Sequence, residues 1–286
     1  MTVSHMAGAA YLLDKSAGIS SRSIASEVAK FWGYRKFGHA GTLDPDATGL
    51  LIVMMGKATR LSRFILSSRK TYSFGIELGI RTDTDDTAGT IIERKPVSNI
   101  TKEDIIRVIG DFTGSIQQKV PSYSAVKING RRAYSLARSG LMPSTPVREA
   151  YTENWEMKGF DGRKAYFSVT VSSGTYIRAL ARDIGNTLET GGAAFDIRRT
   201  SIGAFSVDEA SSKKNDVSSR LSMTDILRKY ERIVLDAEQS RIVSHGGKLS
   251  SNRTGILALL DKDNNLLAVA EGNGSMLKPL CVLVEN

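Results

Sequence analysis

The sequence is poor in the residues that build disulfides, zinc sites and membrane spans. Its only cysteine, Cys281, excludes an internal disulfide, and its three histidines are too far apart to form a local zinc cluster with it. The longest apolar run, Leu50 to Met55, is far shorter than the roughly 20 residues that cross a bilayer. The N-terminus lacks the basic region that opens a secretory signal. We therefore expect a cytoplasmic protein that binds no metal and does not enter a membrane.

Charge gives the first positive indication of a partner. Of the 286 residues, 41% are apolar and 24% are charged, as in ordinary globular domains. Lysine and arginine number 39 against 30 acidic residues, which gives a net charge of +9. Residues 1–70 carry +6 of this excess around one glycine-rich segment, whereas residues 230–286 carry −1. Because clustered cations bind phosphates, nucleic acid is the first partner to consider.

Hydrophobic periodicity predicts alternating strands and helices. Residues Lys70 to Leu78 alternate like a half-buried strand, and the pair Ser20-Ser21 is predicted to cap a helix that ends at Gly33. Asn129-Gly130 and Asp161-Gly162 are dipeptides typical of hairpin turns. Because hairpins join antiparallel strands, we predict an α+β fold with a mixed, largely antiparallel sheet and flanking helices.

The end of the chain has a different pattern. The polar stretch Ser211 to Ser222 is predicted to be a linker, and Thr224 to Val234 a helix. The residues beyond them contain short strand patterns around a polar turn. A segment of about fifty residues can form a small β-rich appendage, although it is marginally stable alone. We therefore divide the chain into domains at residues 1–230 and 231–286.

One loop carries the residues best suited to chemistry. Gly38 to Gly49, with the sequence GHAGTLDPDATG, is rich in glycine, threonine and aspartate. Its glycines permit positive φ angles and the close approach of a ligand, and Pro45 favours extended backbone at Asp44. The spacing matches neither the phosphate-binding G-x-x-x-x-G-K-[ST] loop nor the dinucleotide-binding G-x-G-x-x-G motif. The loop therefore gives no indication of nucleotide binding.

Asp44 and Asp46 allow more than one interpretation. A glycosidase would require both carboxylates to flank one bond. A single aspartate nucleophile, paired with a cation from elsewhere in the chain, is the simpler catalytic interpretation. On spacing alone, a turn-forming Asp44 before proline is preferred.

Further segments, taken together with this loop, form a specific pattern. The segment GHAGTLDPDATGLL is followed in the chain by Gly174-Thr175-Tyr176-Ile177-Arg178. Other motifs in order are Leu13-Asp14-Lys15 with Gly18 and Ser20-Ser21, Lys70-Thr71-Tyr72, PSYSAVK at residues 121–127, and Ile197-Arg198-Arg199. On these motifs the sequence resembles the TruB family of tRNA pseudouridine synthases from about Tyr11 to Phe205.

The resemblance implies the mixed α+β pseudouridine synthase fold and a redox-neutral isomerisation of uridine to pseudouridine without a cofactor. Asp44 matches the catalytic aspartate, Tyr72 the tyrosine that stacks on the target base and serves in removing the C5 proton, and Arg178 the arginine that pairs with the aspartate. The carboxylate either traps C1′ of the sugar or adds to C6 of the base, and the sequence favours neither. From pattern alone, Tyr72 is predicted to be a core residue and Arg178 a solvated charge.

Other residues are implied to contact RNA. His39 is expected to enter the T loop and displace the flipped nucleotide, since a uridine in a structured loop must leave its stack before the aspartate reaches it. Tyr176 and Ile197 are expected to line the pocket for the base. The expected phosphate contacts are the lysines and arginines Lys15, Arg35, Lys36, Lys57, Arg60 and Lys127.

Three residues depart from the family pattern. Ser16 stands where proline is common, Ala40 where threonine is frequent, and Asp46 where a small or apolar residue is usual. An acid beside an RNA phosphate is unfavourable, so we expect Asp46 to face away from the RNA or to pair with a nearby cation.

The resemblance implies a stand-alone enzyme that acts on the T arm of tRNA, at position 55 of the TΨC loop. Residues 231–286 resemble the small PUA-like module of bacterial members, and a monomer without an obligate protein partner is expected. A guide-RNA-directed synthase of the same superfamily is one alternative, which the short tail disfavours. A tRNA-binding or folding module without essential catalysis is another, which the intact Asp44, Tyr72 and Arg178 disfavour.

Overall fold

The computed structural model describes residues 8–124, 126–128, 130–139, 141 and 144–284. Within these ranges the chain forms a large mixed sheet, a smaller C-terminal sheet and short helices, so the α+β prediction is confirmed. No helix of this part of the chain is long and apolar enough to cross a membrane.

Strands make up most of the regular structure. They are, in chain order, β1 (Ala9–Lys15), β2 (Phe37–His39), β3 (Thr48–Met55), β4 (Lys70–Leu78), β5 (Ile80–Thr82), β6 (Ile91–Arg94), β7 (Gly114–Lys119), β8 (Lys127–Ile128), β9 (Arg131–Arg132), β10 (Val147–Phe160), β11 (Lys164–Val171), β12 (Gly192–Ile202), β13 (Phe205–Ser206), β14 (Arg220–Ser222), β15 (Glu231–Val234), β16 (Leu249–Ser250), β17 (Thr254–Leu260), β18 (Leu266–Asn273) and β19 (Met276–Val282).

The helices are short and lie between the strands. The α-helices are α1 (Ser21–Phe31), α2 (Ser62–Leu66), α3 (Lys102–Asp111), α4 (Ala133–Arg138), α5 (Ile177–Thr187), α6 (Met223–Ile226) and α7 (Ala237–Ser244). Short 3-10 helices occur at Gly56–Leu61, Val207–Glu209 and Val217–Ser219.

Local sequence signals explain several of these boundaries. Ser20 caps α1 as predicted, because its hydroxyl accepts a hydrogen bond from the Ser23 backbone N–H. Gly33 follows the helix with a φ of +77°, a conformation that favours glycine after a helix end. The predicted hairpin at Asp161-Gly162 joins β10 to β11, whereas Asn129 of the other predicted turn lies outside the described residues.

The large sheet runs in the order β14-β1-β3-β12-β4-β11-β10-β7, with β2 beside β3 and β13 beside β12. Its neighbouring strands are antiparallel except β3 and β12, which run parallel where the glycine-rich loop ends. Gly49 stands at this junction with a φ of +99°, and a Cβ there would lie 2.2 Å from the Arg199 carbonyl oxygen. Only glycine fits such an approach, so Gly49 fixes the loop against β12.

The loop is also held by an apolar core. β4 and β11 direct alternate side chains, Phe74 and Phe167 among them, toward a core that includes residues of α3 and α5. Leu43 and Ala47, on either side of Asp44 in the chain, are buried in this same core. Burial of both flanking residues fixes the backbone that carries Asp44.

The segment Ser211 to Ser222 belongs to the large sheet, so the linker prediction was wrong. The Ser211 N–H donates to the Leu12 carbonyl, and the Asp14 N–H donates to the Ser211 carbonyl. The end of the segment forms β14, which pairs with β1. Its polar composition reflects a solvent-facing edge strand and turns, which sequence pattern does not distinguish from a linker.

The smaller sheet runs in the order β15-β17-β18-β19-β16 and contains the predicted C-terminal strands. The helix predicted at Thr224 to Val234 was wrong in its second half, because residues 231–234 pair as a parallel strand with Leu257 to Leu260. Leu260 and Val269 of this sheet share an apolar core with Leu61 and Phe64 of the larger sheet's flank. The two sheets therefore pack through a common core.

Candidate active site

The Asp44 loop lies between β2 and β3 and is closed by hydrogen bonds. The Ser21 hydroxyl at the start of α1 accepts from the Leu43 N–H and donates to its carbonyl, both at 2.8 Å. The Ala47 N–H donates to the Asp44 carbonyl at 3.2 Å. Between these anchors the Asp44 side chain is 44% exposed, which leaves its carboxylate open to a ligand.

Arg178 provides the cation that a single catalytic aspartate requires. Its Nε lies 2.9 Å from Oδ2 of Asp44, and its Nη2 lies 3.3 Å from Oδ1. The guanidinium is buried in α5, with a side-chain exposure of 5%, so its interpretation as a solvated charge was wrong. A planar fork of donors fixes the orientation of a carboxylate as well as attracting its charge.

The remaining donors of Arg178 bind two other segments. Nη1 donates to the Thr84 carbonyl at 2.6 Å, and Nη2 donates to the Tyr123 carbonyl at 2.9 Å. Oδ2 of Asp86 lies 3.6 Å from Nε. Burial raises the pKa of Asp86, although the Thr84 hydroxyl and the Arg178 charge oppose this shift. Arg178 therefore joins the Asp44 loop to residues 84–86 and to residue 123.

Arg182, one turn further along α5, makes a parallel set of contacts. Its Nη1 lies 2.9 Å from Oδ2 of Asp85, and its Nη2 donates to the Lys119 carbonyl. Burial raises the pKa of Asp85, against the charges of Arg182 and Arg178. Arg182 and the segment that contains Asp85 were not among the predicted site residues. The i, i+4 spacing of two arginines on one helix face was a signal that could have revealed this network.

Gln118 was also missed, and it fixes the start of α5. Its side-chain oxygen accepts from the Tyr176 N–H at 2.8 Å, and its side-chain nitrogen donates to the Tyr176 carbonyl at 3.1 Å. Gln118 is 2% exposed, so both bonds are shielded from water. Tyr176 precedes α5 without a side-chain cap, and its ring is half-buried.

Tyr72 lies on β4 in the core beside the loop. It is 7% exposed and shares its apolar cluster with Leu43, Ala47 and the half-buried Ile197. The core prediction from pattern is thus confirmed, and the ring belongs to the same apolar core as the residues that flank Asp44. Tyr72 and Ile197 therefore share a core with the Asp44 loop.

His39 lies at the end of β2, just before the loop. Its ring is half-buried, and Nδ1 has no hydrogen-bond partner among the described residues. Burial lowers the pKa of His39, and the charges of Arg199 and Arg22 lower it further, so the ring is neutral at pH 7. No group of three His, Cys, Asp or Glu side chains in the described part of the chain could hold a metal ion.

Lys15 does not lie at the surface, which corrects its expected role as a phosphate contact. It is 1% exposed, and its Nζ donates to the carbonyls of Ser16, Ile19 and Pro45 at 2.8 to 2.9 Å. Burial lowers its pKa to about 8, with Asp46 and Asp44 opposing the shift. Lys15 thus anchors the carbonyl that follows Asp44 instead of reaching toward RNA.

The other cations expected to bind phosphate remain accessible. Lys57 is half-buried in the turn after β3, and Lys127 is exposed on β8. Asp46 is exposed in the loop, and its charge acts on Lys15. The remaining exposed cations are Arg35 and Lys36 before β2 and Arg60 in the 3-10 helix.

Comparison with known proteins is consistent with this site. The model of the TruB family pseudouridylate synthase (N terminal domain) matches residues 29–177. The chain is 36% identical over 290 residues to tRNA pseudouridine synthase B of Thermobifida fusca strain YX, covering 97% of this chain and 99% of that one. The corresponding protein of Bacillus cytotoxicus is 33% identical over 299 residues, covering 96% and 97%.

Solved structures share the fold at lower identity. A structure of an H/ACA RNP bound to a substrate RNA containing 2′-deoxyuridine matches 97% of this chain and 85% of its own, with a TM-score of 0.71 and 21% identity. A Cbf5-Nop10-Gar1 complex matches 96% and 85%, with a TM-score of 0.71 and 24% identity. The similarity extends over both sheets of the chain.

Proposed function

The chain belongs to the TruB family of pseudouridylate synthases and isomerises uridine to pseudouridine in tRNA; we propose that it acts on the T arm, at position 55 of the TΨC loop, with Asp44 as catalytic carboxylate. One observation carries the assignment of Asp44: a half-exposed carboxylate is held by the buried guanidinium of Arg178. A nucleophile needs this combination of fixed orientation and access.

The isomerisation breaks the N1–C1′ bond, turns the base and joins C5 to C1′. Asp44 acts on the flipped nucleotide, either at C1′ of the sugar or at C6 of the base. Arg178 orients the two carboxylate oxygens. If the carboxylate has trapped C1′, the Asp44–C1′ bond breaks as C5 bonds to C1′; if it has added to C6, the Asp44–C6 bond breaks before product release. The C5 proton is lost after the new C5–C1′ bond forms, and Tyr72, which stacks on the base, serves in its removal. N1, released from the sugar, takes up a proton, so the reaction is a net isomerisation. The reaction is redox-neutral, so these side chains need no redox cofactor.

The uridine must leave its loop before Asp44 can reach it. His39, neutral and beside the catalytic loop, enters the T loop and takes the place of the flipped nucleotide. Ile197 and Tyr176 form walls of the base pocket, supported by the position of Ile197 in the Tyr72 core and of Tyr176 before α5.

The exposed cations Arg35, Lys36 and Lys127 bind the phosphates of the T arm. Residues 1–230 form the catalytic domain, and residues 231–286, with the smaller sheet, form a PUA-like RNA-binding module. We assign the protein to the cytoplasm, where it acts as a monomer without an obligate protein partner.

The test is incubation with unmodified tRNA, without guide RNA, followed by mapping of pseudouridine. The wild type is expected to form product at position 55, and tRNA with cytidine at that position is expected to remain unmodified. Asp44→Asn should bind tRNA but form no product. Asp46→Asn is the matched control, because it removes an exposed carboxylate from the same loop, and it should remain active.

Other outcomes would identify the alternatives. Tight tRNA binding by the wild type with no conversion would instead support a folding module. Product only in the presence of a guide RNA would support the guide-directed branch. An active Asp44→Asn variant would overturn the catalytic assignment while leaving the enzyme class intact.

A further inference from the structure

Arg199 is a buried cation that the proposed mechanism does not use. It lies on β12 and is 1% exposed, among the most completely buried large side chains of the described residues. Within the described ranges, no carboxylate lies within ion-pair distance of its guanidinium. Burying a charge without an ionic partner costs free energy, so a core rarely contains such a residue unless its hydrogen bonds have a role.

The guanidinium nitrogens of Arg199 donate hydrogen bonds to three separate segments of the chain. Nε donates to the Leu50 carbonyl at 2.8 Å, and Nη2 donates to the Gly41 carbonyl at 3.1 Å. Nη1 lies 3.4 Å from the Tyr72 hydroxyl. Because guanidinium has only donors, the phenol oxygen accepts this bond. One rigid group therefore spans the loop that carries Asp44, the following strand and the ring on β4.

The surroundings of Arg199 make its charge still less favourable. Burial lowers the pKa of Lys70 to about 8, and the positive charge of Arg199 adds to that shift. The same charge contributes to the lowered pKa values of Lys15 and His39. Arg199 is thus placed among other cations beneath the loop. A neutral apolar side chain would avoid this repulsion, which argues that the donors of Arg199 serve a purpose there.

We propose that Arg199 is a positioning residue that sets the geometry between Tyr72 and the Asp44 loop, through hydrogen bonds of one guanidinium to the Tyr72 hydroxyl and the Gly41 carbonyl. The inference rests on the proposed function, in which both Tyr72 and Asp44 act on the flipped uridine. A planar fork holds two acceptors at a fixed separation, whereas the ammonium of lysine is a point donor on a flexible stem.

Replacement of Arg199 should slow the chemical step and leave the affinity for tRNA nearly unchanged. We expect Arg199→Lys to lower the single-turnover rate of pseudouridine formation by roughly 10- to 100-fold, since a misplaced reacting group costs about that much. The Kd for tRNA should change by less than about threefold, because Arg199 is buried and reaches no phosphate. Arg198→Lys is the matched control: this neighbour is half-exposed, pairs with Asp14 and should keep its rate.

A double-mutant cycle separates positioning from general destabilisation. Tyr72→Phe removes only the hydroxyl, so Arg199→Lys should have a smaller effect in this background than in the wild type. The fold reduction in the single-turnover rate of the double variant should be at least about fivefold smaller than the product of the fold reductions in the two single variants. A double variant whose rate reduction equals that product would overturn the inference, as would a wild-type rate in either single variant.

Melting temperatures establish whether each variant is folded. If Arg199→Lys does not fold, Arg199→Met, which keeps an unbranched chain without the charge, takes its place in the cycle. A wild-type rate for Tyr72→Phe overturns the inference whatever the Arg199 variants do. A wild type that never converts tRNA would instead refute the proposed function. An active wild type, an inactive Asp44→Asn and an unaffected Arg199→Lys would refute only the role of Arg199.

Discussion

Arg178 and Asp44, 134 residues apart in the chain, face each other with Nε 2.9 Å from Oδ2. The two groups differ in accessibility, because the arginine side chain is 5% exposed and the aspartate side chain 44%. The arginine is further fixed by the carbonyls of Thr84 and Tyr123. A rigid, buried cation thus orients a carboxylate that remains open on its other side. This asymmetry suits a group that must meet a large substrate.

Replacing Arg178 by lysine keeps the positive charge but removes the planar set of guanidinium donors that faces the Asp44 carboxylate. We expect Arg178→Lys to lower the single-turnover rate by roughly 100-fold, since lysine cannot orient both carboxylate oxygens. Affinity for tRNA should change by less than about threefold, because the guanidinium is buried. Rapid-quench assays with excess enzyme, together with filter binding, measure the two effects. Equal turnover in the variant would mean that the pairing does not serve catalysis.

Local patterns in the sequence were sufficient to predict much of the fold. The strand at Lys70 to Leu78 and the cap at Ser20 were predicted correctly because period-2 alternation and capping depend on neighbouring residues. The segment Ser211 to Ser222 was not predicted correctly, because its strand forms only by pairing with β1. Edge pairing depends on a distant partner, which composition does not reveal.

The site shows the same division between local and distant causes. Asp44 was proposed as a site residue through its motif, but Arg178 on pattern alone was predicted to be solvated, since its burial comes from Thr84 and Tyr123 on remote segments. Gln118 gave no signal, because its two bonds to Tyr176 join positions 58 residues apart. Lys15 was expected to contact phosphate, whereas three carbonyls hold its ammonium inside the fold.

The position of Lys15 gives a prediction that separates anchoring from phosphate binding. Lys15→Met should lower the single-turnover rate by roughly 10-fold or more, because the Pro45 carbonyl beside Asp44 loses its donor. The dependence of log Kd on log salt should keep its slope, since no phosphate contact is removed. Titrations of tRNA at several salt concentrations measure that slope. A shallower slope in Lys15→Met would restore its assignment as a phosphate contact.

Lys127 should behave in the opposite way. It is exposed on β8, so Lys127→Ala is expected to weaken tRNA binding and to reduce the salt slope by about 1. The single-turnover rate at saturating enzyme should stay near that of the wild type. Lys102→Ala, an exposed lysine at the start of α3 that is not among the expected phosphate contacts, is the control and should leave the slope unchanged. An unchanged slope in Lys127→Ala would remove this residue from the RNA-binding surface.

The lowered pKa of the buried Lys70 ammonium leads to an expected dependence of folding stability on pH. Its Nζ donates to the carbonyls of Leu66 and Ser68, and burial, with the charges of Arg199 and Lys229, lowers its pKa from 10.5 to about 8. Between these two values the folded chain has released a proton that the unfolded chain still binds. Unfolding then takes up a proton, so the contribution of Lys70 to stability rises with pH from about 8 to about 10.5.

Substitution of Lys70 by methionine removes this pH dependence. The melting temperature of the wild type relative to Lys70→Met should therefore increase between pH 7.5 and pH 9.5, whichever protein is more stable at the lower pH. Calorimetric scans of both proteins in matched buffers measure the difference. If the difference in melting temperature between the two proteins stayed constant across this pH range, the buried ammonium of Lys70 would keep its proton, held by the carbonyls of Leu66 and Ser68.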